Sequence, residues 1–346
     1  MKNKLTQISK HPFAPFFLFG LFLTLIPILR PVLGVTFVDA FAKVLIFYIV
    51  ALGFSFLIGY GGLASLGTSS FIAVGTFVLY IITEAMGLPF FVSILVAIAA
   101  AVVIGLFFGF VSLRIEGMYL AIVTLGISEI AVEVFKNLGQ YTGGVSGRTY
   151  KGINIFGNTL SPNAVFIIII AFVVLAMILT YNLFNSPTGR ALLSVKNSDS
   201  AARAMGISVL RVRLTAFIVS AVYAVLGGLL YMGYVRFSMA QYWSLSISLN
   251  ILAAVVVGGS KSIWGVFIGT FVIFGLDLVV FKQIFDGTNL GDLSYIISGV
   301  LIILVMMYFP GGIIGLINNL IAKLKIRKLK KSQLDETKAG EVWWKY

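Results

Sequence analysis

The chain alternates long apolar runs with short polar breaks. Stretches such as Phe90–Val111 and 164–179 are apolar on every side and show no period-two alternation. A membrane β-barrel needs alternating segments of about ten residues, so the pattern excludes one. A helix rises about 1.5 Å per residue and the hydrocarbon core is about 30 Å thick, so roughly 20 apolar residues make one crossing. That ruler predicts spans at 13–29, 38–58, 63–83, 88–112, 117–136, 162–182, 213–235, 245–260, 264–281 and 293–309. The expected fold is an all-α polytopic membrane protein with about ten transmembrane or partly re-entrant helices. Two connections are very tight. Gly59-Tyr60-Gly61-Gly62 leaves so little chain that the third element is expected to be re-entrant or broken. A similarly short break, Gly258-Gly259-Ser260-Lys261-Ser262, separates the eighth and ninth elements.

Composition agrees with lipid as the solvent. Only 11% of the 346 residues are charged and 60% are hydrophobic, with mean hydropathy +1.06; a soluble chain carries about 25% charged residues. There is no cysteine, and the single histidine, His11, precedes the first span. Disulfides, thiolate or histidine metal clusters and a histidine-based catalytic triad are therefore excluded, and no cofactor is implied. Arg30-Pro31 follows the first span where a small-residue cleavage site would stand, which speaks against a cleaved signal peptide.

Lysine and arginine are distributed unevenly. Of 25 such residues, the ten-span reading puts only Arg30, Lys43, Lys136, Arg148, Lys151, Arg236 and Lys282 on one side. The richer side is expected to face the cytoplasm, with both termini inside. The predicted organisation is a cytoplasmic N-terminal arm at 1–12, a transmembrane domain at 13–322 and a basic cytoplasmic tail at 323–346. Within the domain, an external loop occupies 137–161 and a cytoplasmic segment 184–212. The net charge of +13 needs no nucleic-acid partner, because the Lys- and Arg-rich run at 323–331 reads as an anchor on anionic membrane lipid.

Two loops carry more than connection. The external one contains Tyr141-Thr142-Gly143-Gly144-Val145-Ser146-Gly147-Arg148; its glycines permit close backbone approach. It can close over a pore mouth, meet a partner or simply be a flexible surface loop. The 184–212 segment interrupts hydropathy without looking disordered. Asn197 or Ser198 can cap a short helix, Asp199 suits its first turn, and Gly206 suits its end. Such a helix fits a cleft on another protein or lies unpartnered at the membrane surface.

These segments carry a family resemblance. Thr188-Gly189-Arg190-Ala191-Leu192, followed by Asn197-Ser198-Asp199-Ser200-Ala201-Ala202-Arg203-Ala204-Met205-Gly206-Ile207, resembles the coupling segment of branched-chain amino-acid ABC transporter permeases of the LivH/LivM type. Gly61-Gly62-Leu63-Ala64-Ser65-Leu66-Gly67 is similar to that family's early Gly/Ser-Leu-Gly motif, with Thr68 where His is usual. The run from Gly117-Met118-Tyr119 through Thr124 to Glu129, and the Thr142, Gly143, Gly144, Gly147 loop, resemble the LivM branch. Val257-Gly258-Gly259-Ser260 through Trp264-Gly265 is similar to the late Gly-Gly segment. The matches keep the family's order across roughly 38–312.

The resemblance implies that Gly189, Arg190, Asp199, Ala201, Ala202 and Gly206 couple to an ATPase, Asp199 standing where Glu is commoner. It implies pathway roles for Gly61, Gly62, Ser65, Gly67, Thr124 and Glu129. It further implies two ATP-binding subunits, a second homologous permease subunit and an extracytoplasmic solute-binding protein, in a prokaryotic cell (inner) membrane. The expected activity is import of branched-chain or related hydrophobic amino acids. The chain has no Walker A motif, Gly259-Ser260-Lys261-Ser262 having a Lys-Ser pair without the Gly-x4-Gly-Lys-(Ser/Thr) spacing, so ATP hydrolysis is expected only in partner subunits.

Ionisable residues at membrane depth are costly and are functional hypotheses by default. Glu129 and Glu133 share one face of the fifth span, and Lys136 is placed to neutralise Glu133. Glu129 either lines the pathway or holds the bundle together; Asp277 is a weaker candidate. Asp286 and Asp292 fall in an aqueous loop. Alternative readings keep the architecture but change the solute to urea, a nucleoside or a sugar, or replace ATP coupling with ion coupling.

Overall fold

The computed structural model describes residues 13–112, 118–155 and 158–275, together with 299, 307 and 312–315. The predicted arm at 1–12, the tail at 323–346 and most of the span at 293–309 lie outside the described residues. So do His11, Arg114, Gly117, Asp277, Lys282, Asp286 and Asp292.

Apolar runs become helices because only intrasegment hydrogen bonds satisfy the backbone in lipid. Among the described residues, five helices are long and apolar enough to cross a membrane: α2 (Val35–Tyr60), α3 (Thr68–Ala85), α4 (Phe90–Ser112), α6 (Pro162–Asn185) and α9 (Val209–Val235). Shorter apolar helices are α1 (Ala14–Ile28), interrupted at Thr24, α10 (Leu245–Gly258) and α11 (Ile263–Gly275). The charged residues Glu129, Glu133 and Lys136 set α5 (Met118–Asn137) apart from the apolar spans. Helices α7 (Pro187–Asn197) and α8 (Asp199–Ala204) form the polar segment.

Position in the bundle follows contact with neighbours. The most apolar stretch of α2 is 89% buried, whereas that of α4 is 22% buried. Helix α2 is thus the central post, packed by α9, α6, α10 and α11, and α4 is a peripheral helix. The α3–α9 crossing rests on glycines at the contact. A Cβ on Gly75 would stand 2.0 Å from the Val225 carbonyl oxygen, and one on Gly228 would stand 1.9 Å from that of Ile72. Small residues let membrane helices meet backbone to backbone. The α10–α11 hairpin repeats the device: a Cβ on Gly258 would lie 2.1 Å from the Gly265 oxygen, and one on Gly269 2.0 Å from that of Ala254.

Two predicted spans change shape. The third element becomes helical only at Thr68, so 63–67 is an irregular passage after Gly62, whose φ is +67°. The eighth is a helix of 14 residues, about 21 Å long and shorter than the core. Its start is set by a 3-10 turn, Ala240–Trp243, pinned where the buried Trp243 indole N–H donates to Ser238 Oγ at 2.8 Å. Its end is set by Gly259 at φ +108°.

Polar groups collect at the two ends. At one end lie 59–62, the α7–α8 segment and 258–262; this is the basic end. At the other, β1 (Arg148–Thr149) pairs antiparallel with β4 (Phe237–Ser238), and β2 (Asn154–Ile155) with β3 (Asn158–Thr159). The Arg30 guanidinium there donates to Asn163 Oδ1 at 2.8 Å and to Asp39 Oδ1 at 3.4 Å. The Tyr234 hydroxyl donates to the same Asp39 oxygen at 2.7 Å, so α2, α6 and α9 are tied together at that end.

Candidate functional site

Helices α7 and α8 are built by local capping. Ser186 Oγ accepts from the Gly189 N–H at 3.0 Å and Ser198 Oγ from the Ala201 N–H at 3.3 Å. Of the two residues suited to cap α8, Ser198 does so. Gly206 ends it at φ +78°, with Ile207 N–H donating to the Ala202 oxygen and Gly206 N–H to the Arg203 oxygen, both at 3.0 Å. That is the left-handed stop which glycine accommodates without strain. Gly189 is needed for close approach, since a Cβ there would lie 2.4 Å from the Leu183 oxygen. Arg190 closes the same turn by donating to the Asn185 oxygen at 2.9 Å.

The six coupling candidates divide by direction. Ala202 faces inward and packs with Val195, Val209 and Ile207. The Asp199 carboxylate is gripped by the Arg213 guanidinium, which donates to both its oxygens at 2.9 and 2.8 Å. Two charge-assisted bonds, both donated by Nη2, fix α8 against the first turns of α9. The outward face presents Ala201, Arg203, Ala204, Met205 and Gly206. Met205 is 83% exposed, an apolar side chain that nothing in the described bundle covers.

The pathway candidates fall into three places. Gly61 and Gly62 lie at the basic end against α7, where a Cβ on Gly61 would meet Leu192 at 3.5 Å and one on Gly62 would meet Lys196 at 3.1 Å. Ser65, Gly67 and Thr124 come together inside the bundle. Thr124 Oγ1 accepts from the Leu66 N–H at 2.9 Å and donates to the Leu120 oxygen at 3.0 Å. Ser65 Oγ accepts from the Gly67 N–H at 3.4 Å. Glu129 stands on the other, exposed face of α5 with Tyr119, Ile122 and Ile130, and has no hydrogen-bonding or ionic partner among the described residues. Glu133 does pair with Lys136, at 3.2 Å.

A buried hydroxyl cluster extends the Thr124 contact and was not singled out in the sequence. Ser128 Oγ lies 3.0 Å from Ser69 Oγ and 3.1 Å from Ser70 Oγ. Ser248 Oγ accepts from the Ser69 N–H and donates to Ser69 Oγ, both at 2.9 Å. These bonds join α3, α5 and α10 where water cannot satisfy them. The available signal was spacing: Ser128 is four residues after Thr124, hence on the same helix face.

Lys196 was missed as well. Its Nζ donates to the carbonyl oxygens of Gly59 at 2.8 Å and Ile58 at 3.2 Å. Burial lowers its pKa from the ordinary 10.5, and repulsion from Lys261 adds to the shift.

At the opposite end the stretch 137–148 of the predicted external loop is held by its own polar groups. Thr142 Oγ1 donates to the Phe135 and Leu138 oxygens and accepts from the Gly144 N–H. Gly143, Gly144 and Gly147 all have positive φ, and a Cβ on Gly143 would stand 1.9 Å from the Gly147 oxygen. Arg148 donates to the Gln140 oxygen at 2.6 Å and lies over the Tyr80 ring. Beside this loop a cavity of about 600 Å³ opens between the α3–α4 turn and 150–155, with Glu84, Phe90 and Lys151 on its walls.

Apolar spans around a buried post, with polar segments gathered at both ends, define a multi-pass helical membrane protein. A family model for the permease component of branched-chain amino acid transport systems matches residues 36–306, and the chain belongs to that family. The high-affinity branched-chain amino acid transport system permease protein LivM of Escherichia coli K12 is 30% identical over 302 residues, 80% of this chain and 69% of the relative. The Salmonella typhimurium protein of the same name is 30% identical over 321 residues, 86% of this chain and 74% of the relative. The autoinducer 2 import system permease protein LsrC of Enterobacter sp. strain 638 is 28% identical over 200 residues, 55% of each chain. No solved structure matches the chain.

Proposed function

We propose that this chain is the membrane-spanning permease subunit of an ABC importer in a prokaryotic cell membrane, forming the pathway for branched-chain or related hydrophobic amino acids. Two separate ATPase subunits drive it, a second homologous permease subunit completes the pathway, and an extracytoplasmic binding protein delivers the solute. The relatives carry this reading to the solute class, and the outward face of α8 carries it to the partner. A short capped helix with small residues and Met205 exposed, braced from behind by Asp199–Arg213 and Ala202, is a rigid knob suited to an apolar cleft. ATPase closure pushes on this knob and rocks the spans; hydrolysis resets them. Selectivity then rests largely on the binding protein.

Co-purification with affinity-tagged ATPase subunits tests the partner. Met205→Glu is expected to reduce ATPase recovery by more than about tenfold, the cost of burying one unpaired charge being well above 1.4 kcal/mol, while the amount of inserted permease stays unchanged. Unaltered recovery removes α8 from the contact. Uptake of labelled leucine, isoleucine and valine against urea, ribose and uridine tests the solute class, and transport of one of the latter group alone sinks the amino-acid reading.

A further inference from the structure

A helix leaves its last carbonyls without backbone donors and concentrates partial negative charge there. Helix α2 ends in a π turn at Phe56–Tyr60. Gly62 N–H donates to the Ile58 oxygen at 3.1 Å and Leu63 N–H to the Leu57 oxygen at 3.3 Å, so neither reaches the Gly59 oxygen. The donor that does is Lys196 Nζ, at 2.8 Å, from 137 residues away in the chain. Its second bond, to Ile58 at 3.2 Å, makes the ammonium a two-carbonyl cap on the central helix.

The surroundings fit this cap closely. The lysine stem lies over Gly62, where a Cβ would stand 3.1 Å from Lys196 Cγ, and Leu192, one turn earlier on α7, faces Gly61. A Cβ on Gly59 would stand 2.2 Å from the Ser260 oxygen, so the 258–262 break abuts the same point. Beyond Gly62 the chain runs without helix through 63–67 to Thr68. There Leu66 N–H donates to Thr124 Oγ1, and a Cβ on Gly67 would lie 3.2 Å from the Thr124 oxygen. A continuous set of contacts therefore runs from α7 to the end of α2, along 61–67, to α5.

We propose that Lys196 is a positioning residue for transport, clamping α7 to the end of α2 so that a displacement of the 187–206 segment is delivered through 61–67 to α5. This rests on the reading of the chain as an ATP-driven permease.

The absence of cysteine from the chain makes single reporters clean. Ser65→Cys reports on 61–67, and Ser93→Cys, buried in α4, is the remote control. In membranes holding the full chain, Lys196→Met is expected to raise maleimide labelling of the Ser65→Cys reporter roughly tenfold, the factor carried by one lost charge-assisted hydrogen bond. Labelling at the Ser93→Cys reporter stays unchanged. In proteoliposomes of the assembled transporter, Lys196→Met lowers solute moved per ATP hydrolysed by a similar factor, and Lys196→Arg, which keeps the cation, restores most of it. Unchanged labelling at the first reporter overturns the clamp, as does a parallel rise at both, which marks a general stability role. An unchanged ratio of solute to ATP overturns the part in transport. A wild-type chain that neither binds ATPases nor transports sinks the permease reading instead, and the labelling result stands apart from it.

Discussion

Asp199 and Arg213 show how a charged pair works as a strut. Their side chains are 29% and 15% exposed, so solvent screens them only partly, and hydrogen bonds to charged groups contribute about 1.5–3 kcal/mol each. Asp199→Lys is expected to abolish transport while leaving membrane insertion intact, read as uptake against the amount of inserted protein. The double exchange Asp199→Lys with Arg213→Glu restores the pair and is expected to recover part of that transport. No recovery means that the carboxylate itself meets the ATPase. At this scale the sequence was partly legible. Ser198 and Gly206 announced α8 because capping is decided by neighbours in the chain. Lys196 gave no such sign, because its acceptors are backbone carbonyls 137 and 138 residues away.

Among elements, the crossing of α3 and α9 has the least room. Gly228→Ala would bring a methyl group to 1.9 Å from the Ile72 oxygen, and only movement of one helix relieves that. Overpacking of this kind costs about 1–3 kcal/mol. The expected result is a lower thermal midpoint for the purified variant, with Gly233→Ala as a milder comparison because it meets the end of the Ile153 side chain rather than backbone. A midpoint unchanged by Gly228→Ala would mean that the helices are not in contact there. Hydropathy made the long helices visible, since lipid imposes one length and one composition on every span. It could not find the start of α10, which depends on Trp243 reaching Ser238, nor the β1–β4 pairing, which joins residues about 90 apart.

At the scale of the molecule, α5 is the open side of the bundle that the described residues form. Its inner face holds Thr124 and Ser128, and its outer face shows Glu129 with Tyr119, Ile122 and Ile130. A carboxylate facing lipid hydrocarbon is costly, by about 2.5–3.5 kcal/mol for Asp on an insertion scale, so a partner permease or a water-filled pathway is expected to cover it. The labelling rate of a Glu129→Cys reporter should change at least several-fold when the second permease subunit is co-expressed, because a thiol facing lipid hardly ionises whereas one on a shared water-filled pathway reacts fast. Labelling indifferent to that subunit would remove α5 from the shared surface. Glu129→Gln separates a charged pathway role from packing: full transport by that variant argues against the charge.

The burial of α2 also dictates an order of construction. Helix α2 leaves the ribosome early, yet its neighbours α6, α9, α10 and α11 all come later in the chain. Until α9 is made, the future centre of the protein stands in lipid with its most extensive packing face unmatched. The nascent membrane domain therefore waits for more than a hundred residues of further synthesis before its post is enclosed. Truncation before Val235, or a side chain added at Gly227 against Val50, leaves an inserted but unenclosed helix, the species that membrane quality-control proteases would meet first.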